Sequence, residues 1–321
     1  MSVATSESSS ASTRDEELFT AALSILKDRG FIEYDGEFGP EITTFVPFVA
    51  WLKQEGHLQG RRVITFGGMR PYYFFLADEE FETKPQRRIY RNETKRKWPT
   101  NTTHSATKQE WHRCPDYRAY YRDRGRAFDR PVLFIQNKFA VEWNAGPINY
   151  LPLFAIEQLF RISAGRFDVV YSRPREVLDG KGYARDHNRG CEYPDIEIAE
   201  RYNVPILEEM CLETGADYNT TKLEILAKSH LFVAAQGGGA HVLACFSNSL
   251  LLVLHREGRE YPHAYAAGPY KYLSDPPPLL LVARDNDQLL QGLKVVAATT
   301  MEGGAPVIAD HAMPFVETLR L

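Results

Sequence analysis

Residues 231–246 read LFVAAQGGGAHVLACF, and this stretch decides the fold. Leu231 to Ala235 is a short, unbroken apolar run, as expected of a parallel strand covered by helices on both faces. Gln236, Gly237, Gly238, Gly239, Ala240 and His241 follow, and the apolar spacing from Ala240 to Phe246 fits a helix. A strand that passes through three glycines straight into a helix resembles the phosphate-binding turn of a doubly wound sheet. Without Cβ atoms, backbone N–H groups can approach a phosphate at the positive end of the helix. The same glycines would equally serve close packing of helix on strand. The spacing is neither G-x-G-x-x-G nor a Walker loop, and no Lys-Ser/Thr pair follows, which weighs against dinucleotide oxidoreductases and P-loop proteins.

The alternation extends in both directions from this turn. Upstream lie an apolar run at Val132 to Gln136, a helical pattern at Leu153, Ile156, Leu159 and Phe160, and a second run at Val169 to Tyr171. A helix near Ile196 to Arg201, a strand at Val204 to Leu207 and a helix at Thr220 to Lys228 come next. Downstream are strands at Leu250 to Leu254 and Leu279 to Val282, then an amphipathic helix from Asp287 with Asp285 as its cap. Six such strands with helical crossovers predict an α/β fold with a doubly wound parallel sheet over 131–300. The C-terminal unit, 131–321, is therefore expected to be Rossmann-like, with its ligand at the carboxyl ends of the strands.

The first part of the chain is less regular. Residues 1–14, rich in Ser, Thr and Ala, lack an apolar core and are expected to be a disordered tail rather than a signal peptide. Asp15 to Arg29 reads as a helix stopped by Gly30, Phe45 to Glu55 as a helix with Pro47 in its first turn, and Arg62 to Phe66 as a strand. The aromatic run Arg70 to Leu76 reads as core. Residues 15–130 are expected to form a smaller, acceptor-side domain. Within it, 84–130 holds 14 Lys and Arg against 5 Asp and Glu, interleaved with Tyr90, Trp98, Trp111, Tyr117, Tyr120, Tyr121 and Phe128. Such a segment fits either a solvated surface or a platform for an anionic or glycan acceptor.

Composition narrows the function classes. A net charge of -4 over 321 residues weighs against a dedicated nucleic-acid binder. Cys114, Cys191, Cys211 and Cys245 form no CxxC pair and suggest neither a metal site nor a disulfide framework, so a cytoplasmic, reducing setting is the expectation. No transmembrane segment is expected, because the apolar stretch 231–254 carries Gln236, His241, Ser247 and Asn248.

Strand ends supply the candidate ligand-binding residues. Asn137 and Lys138 follow the first strand, Arg173 and Arg175 the second, Glu208 the third, and Gln236 to His241 the fourth. Arg173 has the geometry for bidentate pairing with a pyrophosphate. Glu142 and Trp143 lie in the loop NKFAVEWNAGPIN, at the predicted ligand rim. In the first half, Glu37 and Glu41 lie in a Gly/Pro-punctuated loop (DGEFGPE). Glu41, expected at a helix start that would keep it ionised, is the candidate general base, with Glu142 as a second catalytic candidate.

The sequence YSRPR, the acidic LEE and the run into LFVAAQGGGAHVLACF resemble the donor domain of inverting GT-B glycosyltransferases, the group that includes plant xylosyltransferases and the O-GlcNAc transferase of EGF domains. The resemblance covers about 131–260, with Gln236 where that family carries His. It implies that Arg173 and the turn from Gly237 to His241 hold the diphosphate of a nucleotide sugar. It further implies transfer to a glycan or other hydroxyl acceptor without a bound metal or cofactor, since Arg, Lys and a helix start neutralise the leaving group. A sugar-nucleotide epimerase or a pyruvyltransferase would use similar domains. A non-catalytic module binding acidic glycan or nucleic acid through 84–130 is the third reading.

Overall fold

The computed structural model describes residues 5–85, 113–142, 146–174, 192–258, 265, 269–302, 305–308 and 317–319. Residues 86–112 of the basic segment 84–130, together with Trp143, Arg175 and Cys191, therefore lie outside the described residues.

Helix α1 (Thr5–Arg29) begins well before Asp15, so 5–14, read from sequence as a tail, is helical backbone. No Gly or Pro before Gly30 interrupts it, and Gly30 then ends it in a left-handed conformation at φ 72°. Strand β1 (Phe31–Glu33) leads to a helical run made of α2 (Phe38–Pro40), a π-helical turn at Glu41–Phe45, and α3 (Val46–Gln54). Strands β2 (Arg62–Phe66) and β3 (Phe81–Lys84) complete a three-stranded parallel sheet in the order β1-β2-β3. The sequence pattern marks only β2 clearly, since β1 has three residues and β3 reads FETK. Tyr72 and Tyr73 of the aromatic run are fully enclosed, in keeping with a core role.

After α4 (Tyr117–Tyr121) comes the larger sheet. Its elements are β4 (Val132–Gln136), α5 (Leu153–Ser163), β5 (Asp168–Ser172), α6 (Asp195–Arg201), α7 (Leu207–Thr214), α8 (Tyr218–Lys228), β6 (Ser229–Ala235), α9 (Gly238–Leu243), β7 (Leu250–Leu254), β8 (Leu279–Ala283) and α10 (Asn286–Ala298). Asp217 and Asp285 cap α8 and α10 by accepting from Thr220 N and Gln288 N, both at 2.8 Å. A small antiparallel pair, β9 (Thr300–Glu302) and β10 (Ala305–Val307), follows. The last strand, β11 (Glu317–Leu319), joins the large sheet antiparallel to β8.

The order is β5-β4-β6-β7-β8-β11, parallel up to β8. The expected strand at Val204 to Leu207 contracts to one parallel bridge, Ile206 to Tyr171, because Leu207 already starts α7. That bridge takes the third-strand place beyond β5, giving the strand sequence of a doubly wound sheet. Side chains alternate strictly between faces. Phe134, Phe232, Leu251 and Leu280 enter one hydrophobic cluster, while Leu133, Val233, Leu252 and Leu281 enter another with α5 and α10. The first cluster also contains Ile42, Phe45, Tyr72 and Tyr117, so the N-terminal elements pack against the face of the large sheet that carries α8 and α9. Among the described residues no helix is long and apolar enough to cross a membrane.

Candidate functional site

The register of the large sheet aligns Ser172, Gln136, Ala234, Val253 and Val282 in one row at its carboxyl edge. From β4 the chain proceeds to β5 on one side, whereas β6 lies on the other. This is the topological switch point at which open α/β sheets form a crevice. Gln136, Asn137 and Lys138 therefore stand across from Gln236, Gly237 and Gly238.

Each glycine of the turn has a local reason to lack a side chain. Gly237 adopts φ 140°, and a Cβ there would lie 3.1 Å from Lys138 Nζ. A Cβ on Gly238 would meet Phe38 Cδ1 at 2.8 Å, and one on Gly239 would meet Gln136 Cγ at 2.8 Å. The packing explanation of the glycines thus accounts for them without a ligand. Lys138 Nζ spans the turn, 3.0 Å from Glu142 Oε2 and 3.4 Å from Gln236 Oε1.

The other wall comes from the first sheet. Downstream of β1, Tyr34 donates from its hydroxyl to Glu37 O at 2.7 Å and shapes the turn into α2. Phe38 then covers Gly238, and a Cβ on Gly39 would come within 2.8 Å of His241 Cδ2. The chain leaving the carboxyl end of β1 thereby abuts the chain leaving the carboxyl end of β6. His241 in turn shares a hydrogen bond of 2.7 Å between its Nδ1 and the Tyr270 hydroxyl.

A buried polar network underlies the turn. Lys222 Nζ donates to Gln136 Oε1 at 2.7 Å, and burial lowers the Lys222 pKa to about 8. Ser172 Oγ donates to Glu208 Oε1 at 2.7 Å, and Arg173 N to Glu208 Oε2 at 3.3 Å. Burial pushes the Glu208 carboxyl above its ordinary range. At 0% exposure Glu208 supports the rim from beneath, inside α7, and does not face a ligand as the strand-end reading expects.

Arg173 and Asn137 face a second cluster. Arg173 Nε donates to Asp195 Oδ1 at 2.7 Å and Nη2 to Tyr193 O at 3.2 Å. Asn137 Nδ2 donates to Asp195 Oδ2 at 3.2 Å and to Tyr171 Oη at 3.0 Å, while its Oδ1 accepts from Leu151 N at 2.8 Å. Asp195 is fully buried, so these contacts compensate a charge that would otherwise be costly. Both residues sit at the rim, with their polar groups turned toward the start of α6.

The two catalytic candidates also take structural positions. Glu142 accepts from Asn149 N at 2.9 Å and Asn149 Nδ2 at 3.2 Å, clamping the loop ahead of α5. Glu41 lies inside the helical run rather than in a loop, at 0% exposure, and accepts from the hydroxyls of Thr65 and Tyr73, the latter at 2.9 Å. A carboxylate so enclosed cannot meet an acceptor hydroxyl without rearrangement. Glu37, four residues earlier at the start of α2, is exposed.

The sequence reading missed Phe38, Gly39, Lys222, Asp195, Tyr270 and His255. The strand-end rule would have found His255, which directly follows β7 and is fully buried. Burial and the Arg284 guanidinium lower its pKa to about 4. Lys222 carries a different signal, as a charged residue within the inward stripe of Tyr218, Leu223, Ile225 and Leu226.

No family model matches the chain, and no curated protein matches it. Among solved structures, the E. coli ADP-heptose LPS heptosyltransferase II is similar over 86% of this chain and 91% of its own, with a TM-score of 0.47 and 11% identity. A likeness of that degree carries no argument about function. The α/β class and the doubly wound order of the large sheet rest on the strand pairings themselves.

Proposed function

We propose that the chain is a glycosyltransferase of the GT-B kind, moving a sugar from a nucleoside-diphosphate donor to a hydroxyl acceptor. The observation that carries this reading is the contact of Phe38 with Gly238 and of Gly39 with His241. It brings the carboxyl end of a parallel strand in one sheet against the switch point of a second. Two parallel sheets whose carboxyl ends border one crevice suit a reaction in which one side holds a donor and the other presents an acceptor.

In this proposal the diphosphate lies beside Gly237, under Lys138, with Gln236 and His241 flanking it. Lys138 supplies the positive charge, and the N–H groups that open α9 supply donors, so the leaving group is neutralised without a metal. Gly239, Asn137, Arg173 and Glu208 hold the rim in shape. The inverting outcome needs a base on the acceptor side, and Glu37, exposed at the start of α2, takes that role in place of the enclosed Glu41. Xylosyl- or N-acetylglucosaminyl-type transfer is the finer version suggested by the resemblance to that family.

The test is a thermal-shift series with nucleoside diphosphates, followed by donor consumption with and without glycan acceptors. The expected result is a raised unfolding midpoint with one nucleotide and release or transfer of the sugar from its conjugate. A folded chain that no nucleoside diphosphate stabilises would overturn the reading.

A further inference from the structure

We propose that Cys114 and Cys245 close into an intrachain disulfide. Their Sγ atoms lie 3.0 Å apart although the residues are 131 positions apart in sequence, a separation from which spacing alone could not suggest a pair. Both are buried, at 6% and 4% exposure. Cys211 sits in α7, outside this contact.

The approach is fixed by the backbone around each cysteine. Cys114 N donates to Leu273 O at 2.9 Å, and the next residue, Ser274, donates from its Oγ to the carbonyl of Ala244, which precedes Cys245, at 3.2 Å. The rings of Tyr117 and Phe246, three residues beyond Cys114 and one beyond Cys245, lie 5.9 Å apart. The sulfurs also face the carbonyls of Ile42, at 3.7 Å from Cys114, and His241, at 3.5 Å from Cys245. The bond would tie the segment ahead of α4 to the end of α9, the helix that carries His241.

The chemistry is thiol–disulfide exchange with an external disulfide such as oxidised glutathione. One cysteine thiolate attacks the external disulfide, forming a mixed disulfide and releasing one glutathione thiol. The second cysteine displaces the other glutathione, which leaves as a thiol with the remaining proton. Two cysteine thiols are oxidised and one external disulfide is reduced to two thiols. Burial and the adjacent sulfur raise the Cys114 thiol well above its ordinary value, which disfavours the attacking thiolate in the finished fold. The exchange therefore belongs to folding, before the two residues are enclosed.

The experiment refolds the full chain from the reduced, denatured state in a glutathione redox buffer. The product is quenched with acid, unfolded, treated with a maleimide, and weighed intact. Of the four cysteines, two are expected to be blocked, and proteolytic mapping is expected to link Cys114 to Cys245. The unfolding midpoint should lie about 5–10 °C above that of the reduced protein, a difference lost in Cys114→Ser and in Cys245→Ser. Four blocked thiols, a glutathione adduct at either residue, or a bond involving Cys191 or Cys211 would overturn the proposal. The thiol count on the natural chain stands even where a serine variant does not fold, and it is independent of nucleotide binding.

Discussion

Phe38 lies against Gly238, so that a Cβ at Gly238 would meet the Phe38 ring at 2.8 Å. One residue follows β1 and the other follows β6, and their contact joins the two sheets at the switch point. Gly238→Val should destabilise the protein by roughly 1–3 kcal/mol through overpacking. Phe38→Ala should relieve part of that cost in the double variant. Denaturant unfolding of the four proteins measures the coupling, and strict additivity would show that the two residues do not share this contact.

Lys138 is partly exposed and spans Gly237, so its removal should leave the fold intact. Lys138→Ala is expected to weaken binding of the nucleoside diphosphate about 10- to 100-fold, as for loss of a charged hydrogen-bond donor. Titration calorimetry reads this directly. Unchanged affinity in the folded variant would move the diphosphate away from the switch point.

Arg173 presents the opposite case. Its ion pair with Asp195 is buried at both ends, with side-chain exposures of 8% and 0%. Arg173→Ala should cost roughly 3–5 kcal/mol of stability, because it leaves Asp195 uncompensated. The strand-end reading of the sequence instead expects a pyrophosphate-binding residue whose loss affects binding without unfolding. Arg173→Met combined with Asp195→Leu should recover much of the loss, and chemical denaturation of both variants checks the pair.

His255 gives a pH signature. Its folded pKa, lowered to about 4 by burial and Arg284, lies below the ordinary value of 6.5. Lys138 and Glu142 are the other charged groups acting on it, with opposite signs. Between these two values the unfolded chain binds a proton that the folded chain refuses. Stability contributed at neutral pH is therefore lost as pH falls from about 6.5 to about 4. The unfolding midpoint should drop over that window, and His255→Leu should flatten this part of the profile. An identical slope in the variant would assign it to other groups.

Glu37 and Glu41 separate catalysis from structure. Glu37→Gln should lower transfer by two or more orders of magnitude while nucleotide binding persists, as for loss of a general base. Glu41→Gln should instead cost roughly 1–3 kcal/mol of stability, through altered hydrogen bonds with Thr65 and Tyr73. Comparable turnover in Glu37→Gln and the natural chain would remove Glu37 from the mechanism.

Much of the large sheet is legible in the sequence because its strands are buried on both faces and so read as unbroken apolar runs. LFVAA and LLLVL are examples, and Asp285 is visible as a helix cap. The first sheet is harder to read. β1 spans three residues and β3 is largely polar, so neither shows a period, and the pairing to β2 is a long-range event. The rim positions Asn137, Lys138, Arg173 and Gln236 follow from the strand-end rule. What their side chains do does not, because Asp195 and Lys222 decide it from helices distant in sequence. Glu41 shows the same limit. Acidic residues at a helix start and in a core look alike until Thr65 and Tyr73 are placed around the carboxylate.

The hydrophobic cluster that runs from Ile42 and Tyr72 through Tyr117 to Leu223 and Phe232 has a mechanical consequence. Two lobes joined only by a linker can swing apart as rigid bodies, but a continuous apolar core offers no seam for such a hinge. The two sheets therefore behave as one elastic block. A chain severed near residue 130 would expose the inner faces of both fragments to water, and each would tend to associate with the other rather than fold separately.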